Sequence, residues 1–272
     1  MLYSLKKIIN IISCNKLVNG NIYFRYAVKV GCKLRKKGDT MRIGIIGTGR
    51  MGKELVRRLA DKVYLVVFDR NPAILKEVAK EYNVSTATGI EEVAKSCSIV
   101  ILAIPDKEVS GCIRAINKWH LPISLINIAT NISQSELEQI AAPEIRCINV
   151  KIVGHAGEMA LGLAPVILVS REPKDLAAVA KQLFAPVGQV VIGDPDVVRF
   201  INTIATEQAL AAAVNIEEKL LDCGISDDDI IRGAIRQVGA GVMKAYADQE
   251  LGPFARELVR NIWGKGKEKL VD

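Results

Sequence analysis

The sequence predicts an α/β fold, a doubly wound and mostly parallel sheet followed by an all-α C-terminal domain. Three observations carry that expectation. Short apolar runs alternate with amphipathic stretches from residue 41 to about residue 194. Those runs are continuously hydrophobic, as strands covered on both faces must be. Beyond Pro195 no strand pattern remains. Only 5% of the residues are aromatic, so Ala, Val, Ile and Leu must fill the core.

Each element follows in order. RIGII (42–46) is a strand that runs into a helix over 50–61, where Met51, Leu55 and Leu59 recur at i, i+4 and i+8. VYLVVF (63–68) is the next strand, closed by Asp69, and PAILKEVAKEY (72–82) is a helix with proline in its first turn. GIEEVAKS (89–96) is a shorter helix, and SIVILAIP (98–105) is an apolar strand stopped by Pro105. A helix over 106–119, a strand over 123–129 and a crossover helix over 133–141 come next. Strands over 144–153, 164–170 and 188–193 complete the sheet, with a helix over 173–185 between the last two. VVRFINTIATEQALAAAVNIEEKLLDCG then forms one long helix that ends at Gly224, a residue suited to a left-handed cap. Ser226 is expected to cap a second helix whose first turn carries three acids, and Gly239 and Gly241 within it suggest close helix packing.

The net charge of +7 suggests a nucleic-acid or membrane partner until its position is considered. Residues 1–40 hold nine Lys or Arg against Asp39, which is +8 and leaves −1 for the rest of the chain. The body is therefore neutral, and neither nucleic acid nor membrane is expected as a partner. The segment has no secretory pattern and is too broken to span a bilayer. It reads as a basic leader, either poorly ordered or translated from a misassigned start, since Met41 opens the first well-patterned stretch. The six cysteines show no C-x-x-C spacing. No metal site is expected; the thiols read as core filling in a cytoplasmic protein.

The stretch MRIGIIGTGRMG (41–52) bears on chemistry. Gly47, Gly49 and Gly52, with Thr48, Arg50 and Met51 between them, follow a strand and open a helix. In that setting the first glycine permits a tight turn, the second lets a pyrophosphate approach the backbone, and the third allows close helix–sheet packing. The helix N-terminus supplies N–H groups to the anion. Asp69 ends the next strand 22 residues beyond Gly47, where a carboxylate accepts ribose hydroxyls. Arg70 next to it suits a 2′-phosphate instead, so NAD and NADP both remain open. Ala103, Ile104 and Pro105, in LAIP (102–105), form the loop expected beside the ribose and nicotinamide.

These residues divide the chain into a basic leader (1–40), an NAD(P)-binding Rossmann domain (41–194), a helical C-terminal domain (195–264) and a flexible tail (265–272). MRIGIIGTGRMG, LAIP and the layout LVSREPKDLAAVAKQLFAPVGQVVIGD (168–194) resemble pyrroline-5-carboxylate reductases within the wider β-hydroxyacid dehydrogenase group. The resemblance implies a homodimer built from intertwined C-terminal helices. It also implies hydride transfer between a nicotinamide cofactor and a small imine or oxo/hydroxy acid. The substrate stretches of the reductases are replaced: NVKIVGHAGEMALG (149–162) stands where they carry a proline-asparagine-threonine-proline turn, and LGPFARELV stands in place of their late glycine-threonine turn. A non-catalytic, cofactor-sensing protein is the alternative that this loss suggests.

In β-hydroxyacid dehydrogenases the helix after the Rossmann domain carries a catalytic lysine with an asparagine one turn on. Arg199 stands at the lysine-like position here, followed by Asn202 and Thr203. Arginine stays protonated, so its role would be to clamp a carboxylate or orient a carbonyl. His155, after a strand and between glycines, is either a general acid or a loop histidine bonded to backbone. Lys151 is a second acid candidate, although the period of INVKIV allows it to face solvent. His120 precedes a strand at the opposite end of the sheet and reads as structural. Glu207 shares a helical face with Arg199 and Thr203, a polar stripe that faces either a cleft or water.

Overall fold

The computed structural model describes residues 41–264; the leader expected over 1–40 and the tail expected over 265–272 lie outside the described residues. The apolar runs pair side by side. β1 (Arg42–Ile46) lies between β2 (Tyr64–Phe68) and β4 (Ile99–Leu102), and the short β3 (Ser85–Thr86) lies beyond β2. On the other side follow β5 (Ser124–Asn127), β6 (Arg146–Val153), β7 (Val166–Ser170) and β8 (Gln189–Gly193), giving the order β3-β2-β1-β4-β5-β6-β7-β8. β1 to β6 are parallel, β7 runs antiparallel to β6, and β8 is parallel to β7. Strand order reverses between β1 and β4, the place where open α/β sheets form a crevice outside their carboxyl ends.

Both faces of the sheet are apolar because both are covered. Ile43, Ile45, Ile99 and Ile101 join one core cluster with Leu55, Val56 and Leu59 of α1 (Arg50–Leu59), Val78 of α2 (Pro72–Tyr82), and Leu176, Ala180 and Phe184 of α7 (Lys174–Phe184). Ile46, Val100, Leu102 and Leu125 join a second cluster on the opposite face. Their partners are Val93 of α3 (Ile90–Ser96), Val109, Ile113 and Ile116 of α4 (Asp106–Asn117), and Leu137 of α5 (Gln134–Ile140). Successive strand residues point to opposite faces, so a parallel sheet sandwiched by helices needs an unbroken apolar run where a half-solvated sheet needs alternation.

Register determines what reaches the carboxyl edge. β5 pairs with β6 only as far as Asn127 and Asn149, so Val150 to Val153 project beyond it. β7 pairs back along that projection, with Val166 against Val153 and Val169 against Val150, and β8 ends with Gly193 beside Ser170. The chain thus leaves β8 close to the level at which β5 ends. α6 (Ala156–Ala160) sits in the link between β6 and β7.

The first compact unit ends at Phe200, and the second begins at Ile201, within α8 (Val197–Asp222). The long helix stops at Gly224 (φ +79°), as its glycine implies. The cap of the next helix is a correction. Asp227, rather than Ser226, accepts hydrogen bonds from the N–H groups of Asp229 and Ile230 (2.9 and 3.0 Å), so two acids remain in the first turn, Asp228 and Asp229. That helix is interrupted: α9 (Asp228–Gly233) passes through a π-helical segment (Ala234–Gly239) into α10 (Ala240–Ala247), and α11 (Pro253–Gly264) follows. A Cβ on Gly239 would lie 3.1 Å from Ile216 Cδ1, so close helix packing holds there, whereas Gly241 faces open space. Of the described residues of this second unit only Ile231 is buried.

Three of the four described cysteines are free and buried (Cys97, Cys112 and Cys147), as core thiols should be; Cys223 is free but exposed. No helix among the described residues is long and apolar enough to cross a membrane.

Candidate functional site

The glycine turn is assembled by hydrogen bonds from both neighbouring strands. The Gly47 N–H donates to Phe68 O and the Ala103 N–H to Ile46 O, each at 2.8 Å, which draws the ends of β2 and β4 onto the end of β1. Gly47 has φ +96°, and a Cβ there would stand 2.4 Å from Ala103 O, so only glycine fits. A Cβ on Gly52 would lie 2.1 Å from Gly47 O, the price of starting α1 directly on the turn. Gly49 differs from both. It is the N-cap residue of α1 in an ordinary extended conformation, and nothing lies within 4 Å of where its Cβ would be. The N–H groups of the first helical turn have no partner within the helix, and α1 carries no acid of its own in that turn. The protein has no steric need for glycine at position 49, and the open space above it would admit an anion to the helix N-terminus.

Asp69 latches this turn. Its Oδ2 accepts the Thr48 N–H (2.6 Å) and the Thr48 hydroxyl (3.1 Å), and its Oδ1 accepts the Asn71 N–H (2.8 Å). Thr48 is buried by the arrangement. Arg70 is exposed and meets Glu108 of α4 at 3.3 Å. Gly47, Gly49, Asp69, Arg70, Ala103, Ile104 and Pro105 converge on one cavity of about 390 Å³, within the ordinary range for a small-molecule site. Thr48 and Gly52 support the turn from beneath, Met51 packs into the core, and Arg50 is exposed at the start of α1. The cavity also takes Phe68, Ile74, Ile90, Gly111 and Cys112, none of which belongs to a motif; only the strand order brings them together. Burial pushes the Cys112 thiol up to about 12, so it lines the cavity as an apolar group.

A polar network lies at the carboxyl ends of β5 and β6. Asn127 donates to Asn149 Oδ1 (2.8 Å) and to Ala129 O (3.3 Å), and Asn149 donates to Ile132 O (3.0 Å). Lys151 is fully buried, which corrects the expectation that it could face solvent. The side of β6 that a simple alternation would leave wet is roofed by the loop after β5. Lys151 Nζ donates to Ile132 O at 2.7 Å and to Ala129 O. Desolvation pushes its ammonium down to about 8, against the opposing pull of Asp196, Asp106 and Glu136. Asp196 comes near because β8 ends close to the level of β5; burial raises its carboxyl, Asp194 adds to the shift, and Lys151 counters it. Glu136 closes a capping box with Ser133, which holds its carboxyl low, and the charges of Lys151 and Arg199 add to that effect. Arg199 is exposed and near enough to Glu136 to be felt there.

His155 is exposed at the carboxyl end of β6, the N-cap residue of α6, and its ring makes no cap hydrogen bond. The loop that follows it is held by α1. Arg57 donates to Met159 O (2.5 Å), and Arg58 donates to Met159 O (2.8 Å), Leu163 O (2.9 Å) and Val187 O (3.0 Å). His120 lies at the opposite edge, ahead of β5, with φ +47° and Nδ1 2.7 Å from Glu144 Oε1. Asn202, Thr203 and Glu207 belong to the second unit on α8, Asn202 half-buried and the other two exposed.

A strand order of 3-2-1-4-5-6, a glycine turn beneath a helix N-terminus and an acid at the end of β2 define a Rossmann fold. A family model described as NADP oxidoreductase, coenzyme F420-dependent, matches residues 42–131. Among solved structures, pyrroline-5-carboxylate reductase from Coxiella burnetii is similar with a TM-score of 0.63 and 16% identity, over 82% of this chain and 85% of that one. The Plasmodium falciparum pyrroline carboxylate reductase, solved with NADP bound, gives 0.57 and 16% over 82% and 84%. An imine reductase variant from Myxococcus stipitatus, in complex with NAD+, gives 0.56 and 15% over 85% and 81%. At such identities the likeness shows the fold, which is that of these reductases. No curated protein matches the chain.

Proposed function

We propose that the chain is an NAD(P)H-dependent oxidoreductase that moves a hydride to or from a small imine or oxo/hydroxy acid, and that it works as a cytoplasmic homodimer joined through its C-terminal helices. The observation that supports this most is the open space over Gly49, in a turn where Gly47 and Gly52 have no such freedom. The reductase folds it resembles and the NADP oxidoreductase family model point the same way.

A bound nicotinamide would supply the hydride, which leaves the protein to bind, orient and protonate. The N-terminus of α1 would receive the pyrophosphate. Asp69 suits ribose hydroxyls and Arg70 a 2′-phosphate, so the two cofactors compete at this end. His155, exposed at the carboxyl end of β6, would donate the proton to a reduced oxo group, while an iminium substrate requires none. Arg199 would clamp a substrate carboxylate. Asn202 and Thr203 remain candidates on the strength of the resemblance alone. The dimer is supported by the second unit itself, where Leu210, Val214, Val242, Tyr246, Phe254 and Ile262 are all exposed.

The test is a fluorescence titration with NADH and NADPH, followed by hydride consumption over a panel of cyclic imines, 2-oxo acids and 3-oxo acids. Binding with turnover on one class is the expected result. Binding without turnover on any class would replace this reading with a non-catalytic dinucleotide-binding protein, and absence of binding would refute both. His155→Ala should lower kcat on an oxo acid about 100-fold or more. If His155→Ala and Arg199→Ala both leave turnover unchanged, the site assignment is wrong. Light scattering on the purified chain should give twice the monomer mass.

A further inference from the structure

We propose that Lys151 is a positioning residue for the nicotinamide half of the site: its buried ammonium holds the carbonyls of Ala129 and Ile132 and so sets the loop of residues 129–132. This rests on the dinucleotide reading above.

In a doubly wound sheet the two halves of a dinucleotide fall on either side of the strand-order reversal, here between β1 and β4. The cavity with Asp69 and Arg70 runs from the ends of β1 and β2 to the loop after β4, where Ala103, Ile104 and Pro105 close it. The other half falls to the carboxyl ends of β4, β5 and β6, and the loop after β5 forms part of that floor. Asn127 is the last β5 residue paired with β6, at Asn149, and Lys151 stands two residues further along on the same face. Its side chain therefore reaches beneath the loop.

A lysine here requires an explanation. Burying an ammonium is costly, and a methionine would fill the same volume without that cost. Nor are the two carbonyls short of partners. Asn127 already donates to Ala129 O and Asn149 to Ile132 O, so Lys151 adds a second bond to each. The loop is also fixed from its outer side, where Asp106 accepts the Asn131 N–H (3.1 Å) and side-chain amide (2.7 Å). A solvent-edge loop held from β5, β6 and α4 together is constrained beyond what folding demands, as a preorganised binding surface must be. The charged groups facing Lys151 are Asp106 of α4, Glu136 of α5 and Asp196 ahead of α8, all acidic. Charge-assisted bonds to the loop thus hold while the amine is protonated and become ordinary neutral ones as the pH rises through about 8.

The experiment compares each dinucleotide with its own fragment on the full chain. NADH is paired with ADP-ribose and NADPH with 2′-phospho-ADP-ribose, and the ratio of the two dissociation constants measures the nicotinamide half. In Lys151→Met the fragment should bind as in wild type, while the advantage of the dinucleotide falls about tenfold, the scale of losing charge-assisted bonds. Lys151→Arg should keep most of that advantage. In wild type the advantage should shrink as the pH passes about 8, and in Lys151→Met it should be flat. Equal weakening of fragment and dinucleotide, or no change in either, would overturn the proposal. If Lys151→Met does not fold, the pH profiles of wild type and Lys151→Arg decide, and a flat wild-type profile overturns it. Failure of wild type to bind either dinucleotide or either fragment would refute the dinucleotide reading itself, and this proposal with it.

Discussion

Replacing Gly49 by alanine separates the ligand from the fold. The residue sits at φ −62° and ψ −168°, a conformation open to any amino acid, and no atom lies within 4 Å of the new Cβ. Two small terms act on stability. The loss of unfolded-state freedom favours alanine by about 0.4–1 kcal/mol, and the N-cap preference for glycine opposes it by a similar amount. Unfolding free energy should therefore stay within about 1 kcal/mol of wild type. Binding should behave differently. The methyl group would fill the space through which the proposed pyrophosphate reaches the first N–H groups of α1, and each charged hydrogen bond lost there costs about 1.5–3 kcal/mol. That is about 10- to 100-fold in affinity per bond. Thermal unfolding and a fluorescence titration with NADH and NADPH on the same preparation read both quantities. A folded Gly49→Ala protein that binds either dinucleotide as tightly as wild type would refute the placement of the anion.

Gly47→Ala makes the converse prediction. With φ +96° and Ala103 O 2.4 Å from the new Cβ, it should lose about 2–4 kcal/mol of stability in denaturant unfolding, and a loss under 1 kcal/mol would contradict the geometry. Lys151 should leave a mark on stability against pH. Its pKa falls from 10.5 to about 8, so the unfolded chain holds this proton more tightly and wild type gains stability relative to Lys151→Met as pH climbs from about 8 to 10.5, by at most about 3 kcal/mol. Cys112 and Cys147, pushed up to about 12, act in the opposite direction above their ordinary range, but both variants share them and the difference cancels their effect. A difference that stays constant over this interval would mean that the buried amine does not titrate there.

Much of this architecture was legible because its physics is local. Continuous apolar runs such as SIVILAIP mark strands covered on both faces, and a glycine required by φ or by a close neighbour leaves a short, fixed spacing. Gly47, Gly52 and Asp69 were readable for that reason. Lys151 was not. Alternation along INVKIV says which residues share a face, but the loop that turns one face of β6 into an interior appears only once β5 is placed beside it. The apolar half of the cavity escaped for a similar reason, since Phe68, Ile74, Ile90 and Cys112 come from four elements that only strand order unites. The helix cap falls on Asp227 and not on Ser226. Two adjacent residues were both good caps, and composition cannot choose between them.

The latch between Asp69 and Thr48 has a consequence for how a ligand would be received. The turn is already closed by its own hydrogen bonds, so an arriving anion meets a finished surface and does not have to order a loop. Such a site spends little entropy on association, and its encounter rate is governed by diffusion more than by rearrangement. The same carboxylate that would meet the ribose also fixes the backbone on which the pyrophosphate would rest. The two ends of the adenosine diphosphate moiety would therefore be recognised through one rigid body, and a change to Asp69 would be felt at both.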